Sequence, residues 1–72
     1  MAKYQVAIYN KWVRDRIRAG DDPPKGIDPA WEEVYYFDTE AINEEQAKEK
    51  MLHQYPTAQG FIIEGVEKYL SS

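Results

Sequence analysis

Cysteine is absent from this 72-residue chain. That excludes disulfides and thiolate metal sites, either of which could have supplemented the small core of so short a domain. Histidine occurs once, at His53, which excludes a cluster of imidazole ligands. Both serines are the last two residues, and the only threonines are Thr39 and Thr57. No base-activated nucleophile can be assembled from that inventory. A glycine-rich phosphate loop is missing too, because Gly20 and Gly26 stand singly among prolines. Apolar runs of membrane-span length do not occur, and Met1-Ala2-Lys3 leads into alternation rather than a signal-peptide core. A basic surplus is lacking as well: the net charge of −4 argues against a general nucleic-acid binder. These absences predict a non-catalytic protein without metal or cofactor, located in the cytoplasm of a cell or of an infected host cell, with no membrane partner.

What is present is organised around residues 42–56, INEEQAKEKMLHQYP. Asn43 with Gln46 three residues on has the pattern of a helix capping box, and Ile42 is placed to staple onto Ala47. Glu44 and Glu45 lie where the helix dipole favours anions. Ala47, Met51, Leu52 and Tyr55 recur at the spacing of a core-facing stripe, and Pro56 ends the helix. His53 follows Glu49 by four positions, the spacing of a surface helix pair.

Around this helix the pattern predicts three strands. Lys3 to Val13 alternates Tyr4, Val6 and Ile8 with Gln5, Ala7 and Tyr9. Trp31 to Asp38 places Val34 and Tyr36 on one face and Tyr35 and Phe37 on the other, with large side chains on both. Phe61 to Leu70 is the third, with a β-bulge expected at Gly65 that returns Val66 to the core face. Leu70-Ser71-Ser72 is expected to fray. The connection over 14–30 reads as a long hairpin loop, and its 19–30 part carries two glycines and three prolines. The expectation is a single α+β domain over 1–72 with ββαβ topology. Its three-stranded antiparallel sheet has order 2-1-3, one helix covers one face, and the other face is open.

Two features bear on function. If the extended backbone continues past Val13, then Trp12, Arg14, Arg16 and Arg18 project from one side, on a chain that is otherwise acidic. Arginine and tryptophan are enriched at binding hot spots; the alternative is internal pairing with Glu32 and Glu33. The second feature is ten aromatics, two Trp, six Tyr and two Phe, too many for one sheet face to bury. Some of Tyr9, Trp12, Tyr35 and Phe37 are therefore expected on the open face or edge. The candidate partner-binding set is Trp12, Arg14, Arg16, Arg18, Tyr9 and Tyr35, with the 19–30 loop at its rim. Another protein is the expected partner. A nucleic-acid or ribosome-associated module using the arginines is the alternative, and a self-associating protein or homodimer is the third class. Asp21, Asp22, Asp28, Glu32 and Glu33 gather near the loop, but their spacing does not match a calcium loop, and they read as solvated surface charge.

From the second strand onward the chain resembles the small phage-encoded inhibitors of bacterial RNA polymerase, of the T7-like type. The shared features are the strand before an acidic, Asn-led helix, then Gln54-Tyr55, a short Pro-containing turn, Gly60-Phe61 and Val66. The resemblance covers about half the chain. It implies a compact three-stranded sheet with one helix, and a non-catalytic protein that blocks a bacterial host polymerase by binding it. In that family two third-strand arginines matter for binding; the matching positions here are Gly65 and Glu67, which inherit no role.

Overall fold

In the computed structural model, which describes residues 1–69, the first strand, β1 (Ala2–Asn10), is the centre of the sheet. Its period-two pattern divides it cleanly: Tyr4, Val6, Ile8 and Asn10 are buried, and the residues between them are not. The chain then turns into a helix, α1 (Lys11–Arg18), and returns through an irregular stretch ending in a 3-10 turn over Pro29–Glu32. β2 (Tyr35–Ala41), the helix α2 (Glu44–Gln54), a second 3-10 turn over Thr57–Gln59 and β3 (Phe61–Lys68) follow. Both outer strands pair antiparallel with β1, so the sheet order is β2-β1-β3. The fold is α+β, with the antiparallel order expected from the pattern.

The element order is strand-helix-strand-helix-strand, which corrects the ββαβ reading with its long 14–30 hairpin loop. The helix α1 takes residues expected at the end of the first strand and in that loop. Its cause is local. Asn10 is an N-cap whose side-chain oxygen accepts from the Val13 N–H at 3.1 Å. Arg16 and Arg18 fall in the last turn, where the helix dipole favours cations. Val13 is buried and Ile17 half-buried one turn later, giving the short helix an inward side. The second strand also begins later than expected, because Asp28 caps the 3-10 turn that takes up Trp31.

Strand pairing settles which face of β2 is buried. Val6 lies opposite Phe37 and Tyr4 opposite Thr39, so the odd-numbered residues of β2 share the core face. On β3 the register shifts by one beside Gly65: Ala7 faces Gly65, but Ile8 faces Ile63. The extra residue, Glu64, is a β-bulge. It lets Phe61 and Ile63 before it and Val66 after it all lie on the core side, packed with Tyr4, Val6, Ile8, Ala41, Ala47 and Met51. Helix α2 lies across this face and buries Ala47 and Met51. Its start is held by the polar box: Asn43 accepts from the Gln46 N–H, and Gln46 accepts from the Ile42 N–H, each at 2.8 Å. Ile42 itself is 66% exposed, so the expected apolar staple is not what closes the turn. At one end of the core, Trp31 packs against Tyr35, Phe37, Tyr55 and Phe61 with centroid separations of 5.1–6.0 Å. The expected fraying of 70–72 lies outside the described residues.

Candidate functional site

The four residues expected on one extended face are on a helix, and this redistributes them. Trp12 and Arg16 are one turn apart and share a side; Arg14 and Arg18 share another. Over Lys11–Arg18 there are four cations to one acid, Asp15. The helix is joined to the end of β3 as well as to β1. The Lys11 N–H donates to the Gly60 carbonyl at 2.7 Å, and the buried Asn10 side chain donates to the Gln59 carbonyl at 3.0 Å.

Gly60 is the seat of Trp12. Its φ is +93°, a left-handed value that favours glycine, and a Cβ there would come within 2.6 Å of the indole ring. The ring therefore lies directly over the backbone of this turn. Trp12 is nonetheless 47% exposed, so one side is seated and the other faces water. Beside it, Trp12, Asp15 and Arg16 with Pro24 of the following loop line a hollow of about 430 Å³. Pro24 belongs to the 19–30 stretch, so part of that stretch stands against α1.

Arg14 is occupied elsewhere. Its guanidinium carbon stands 3.8 Å from the centre of the Tyr9 ring, and its Nε donates to the Glu32 main-chain carbonyl at 3.0 Å. This contact ties α1 to β1 and to the 3-10 turn, and it uses the main-chain oxygen of Glu32 rather than its carboxylate. Arg18 is exposed at the end of the helix. Tyr35 is 40% exposed and leans on Trp31 at the margin of the aromatic cluster, on the core side of the sheet. Phe37 is half-buried in the same cluster. Neither faces the open side; of the four aromatics of which some were expected on the open face or edge, Tyr9 alternates onto the open face, while Tyr35 and Phe37 do not. The structure brings Trp12 and Arg16 together with the loop, binds Arg14 to Tyr9, and leaves Tyr35 apart from both.

The open face carries other residues: Tyr36, paired opposite Ala7, and Tyr69, whose backbone N–H donates to the Lys3 carbonyl at 2.9 Å. The Tyr69 hydroxyl donates to Asp38 and accepts from Gln5, spanning all three strands at one end of the face. The hydrogen bond to Asp38 raises its pKa above the ordinary 10.0; loss of hydration and the Asp38 charge act in the same direction, and Gln5 opposes them. Among the described residues no group of three or more His, Asp or Glu side chains is arranged to hold a metal ion. No helix of the described residues is long and apolar enough to cross a membrane. Comparison with protein-family models, with curated proteins and with solved structures finds no match for this chain.

Proposed function

We propose that this chain is a small non-catalytic protein-binding module that acts by occupying the surface of a larger partner, with Trp12 and Arg16 at the centre of its contact. The observation that carries the reading is the half-exposed Trp12, seated on Gly60 beside Arg16 and the Pro24 hollow. An indole held on one side by the fold has little rotamer freedom left to lose on binding, and its free side offers apolar area. Arg16, one turn away, supplies a planar fork for a carboxylate or carbonyl of the partner. Asp15 sets polarity at the rim. Arg14 and Tyr9 act from behind, by holding α1 against the sheet. Arg18 extends the positive end of the surface.

The partner in this reading is another protein, and by the resemblance of the second half of the chain it is a component of a bacterial host enzyme complex, bound by a phage-encoded modulator. The three-stranded sheet with α2 on one face is compatible with that resemblance. The α1 insertion between the first two strands, and Gly65 and Glu67 in place of arginines, make the contact surface different. The cation-rich α1 supports one second reading, a nucleic-acid or ribosome-associated contact.

Capture of binding proteins from a bacterial lysate tests both. Trp12→Ala and Arg16→Ala should each weaken capture by about 30-fold or more, the scale of a hot-spot loss of ~2 kcal/mol. Arg16→Ala should melt close to the wild type, whereas Trp12→Ala, which also loses the ring's packing on Gly60, should melt lower but still in one cooperative transition. Capture that survives both substitutions would remove α1 as the site. Nuclease-sensitive capture with a steep salt dependence would favour the nucleic-acid reading.

A further inference from the structure

The sheet face opposite α2 has a structure of its own. Reading across the three strands, one row is Asp38, Gln5 and Glu67, and the next is Tyr36, Ala7 and Gly65. Both ends of the face are occupied. At one end the Tyr69 hydroxyl bridges Gln5 and Asp38 with Lys3 over its ring, and at the other Arg14 covers Tyr9. Between them, Ala7 and Gly65 make the floor of a trough of about 470 Å³, bounded by Tyr36 of β2 on one side, by Glu64 and Glu67 of β3 on the other, and by Gln5 of the central strand at one end. Tyr36 is 64% exposed.

Gly65 flanks the bulge, but its own conformation does not require a glycine. Its φ lies outside the left-handed region, and a Cβ built on it meets nothing within 4 Å. A glycine inside a strand weakens it and marks either a bulge, as beside this one, or a close approach by something else. Here the missing side chain is what leaves the trough open. Of the three tyrosines on this face, Tyr9 and Tyr69 each have a cation of the chain over the ring. Tyr36 has none among the described residues, and carboxylates stand across the trough from it.

We propose that this trough is a second binding surface, which accepts an arginine side chain from a basic segment of a partner protein. The guanidinium plane stacks on Tyr36, as Arg14 does on Tyr9, and its N–H groups reach the carboxylates of Glu64 and Glu67. The surface is opposite in charge to α1, so it selects a different segment from the one that meets Trp12 and Arg16.

The test is an amide-resolved NMR titration of the full chain with a blocked pentapeptide carrying two arginines, against the same peptide with citrulline in their place. The arginine peptide should shift the amides of Ala7, Tyr36, Gly65 and Glu67, with the citrulline peptide at least tenfold weaker. Tyr36→Ala and Gly65→Val should each weaken binding tenfold or more. Gly65→Val should melt at or above the wild-type temperature, because its side chain enters open space and suits a strand. Equal shifts by the two peptides, shifts confined to the acidic start of α2, or full binding by Gly65→Val would overturn the proposal. So would a large drop in the melting temperature of Gly65→Val, since the glycine would then be structural. Shifts of the same amides on concentrating the chain alone would identify a second copy as the occupant and overturn it as well.

Discussion

Asn10 is the residue whose replacement should do the most damage for its size. It ends β1 and starts α1, and its side chain has no exposed surface. Its oxygen caps α1 through the Val13 N–H, and its amide nitrogen donates to the Gln59 carbonyl. One side chain therefore joins the central strand, the first helix and the turn before β3. In Asn10→Ala the lost cap costs about 1 kcal/mol. The stranded Gln59 carbonyl and the small void add about 1–2 kcal/mol. A loss of about 2–3 kcal/mol lowers the melting temperature of a domain this small by about 10–20 °C. Two further variants separate the contributions. Asn10→Ser keeps an oxygen for the cap and should recover about half the loss. Asn10→Asp keeps the acceptor but turns a buried carboxylate toward a carbonyl, and it should be no better than alanine. The assay is thermal unfolding by circular dichroism, with urea melts to check that the slope is unchanged. An alanine variant melting within about 3 °C of the wild type would refute the reasoning, because so small a shift is worth less than the cap alone.

Met51→Asp should abolish the cooperative melting transition. Met51 is buried between α2 and the sheet, and a carboxylate there has no partner to offset its loss of hydration. The Tyr69 hydroxyl should ionise above the ordinary phenol value of 10.0, and Asp38→Asn should bring it back down; ultraviolet titration of the wild type against Tyr69→Phe reads this directly. Because the folded-state pKa is the raised one, the stabilisation is complete below the unfolded-state value and is lost as the pH rises through the folded-state value. The difference in stability between wild type and Tyr69→Phe should therefore shrink only at strongly alkaline pH.

Much of the sheet and all of α2 were legible because each obeys one period. β1 alternates without interruption, Asn43 and Gln46 form the box their spacing predicts, and Val66 regains the core face beside the bulge. What was not legible was the end of β1. Trp12, Arg14, Arg16 and Arg18 alternate as a strand does, while Val13 and Ile17 are spaced as on a helix, and the charged set is the more conspicuous of the two. The deciding signal was Asn10, an N-cap residue three positions before Val13. Once α1 is helical, the four candidates no longer share a face. The face of β2 was undecidable from its own residues, since Tyr35, Tyr36 and Phe37 are all large; only pairing with Val6 and Ala7 assigns them. Tyr36 was missed as an open-face residue for that reason, and Tyr69 because it lies just past the regular strand, which ends at Lys68.

The position of β1 has a consequence in time rather than in space. Of the three strands, the one made first is the one with two neighbours, and its second neighbour, β3, is separated from it by fifty residues of intervening chain, Lys11 to Gly60. Until Phe61–Lys68 has emerged from the ribosome, one edge of β1 has no partner, and the side of the sheet that α2 comes to cover is incomplete. Pairing β3 with β1 closes the longest loop in the sheet, which makes it the pairing with the largest entropic cost.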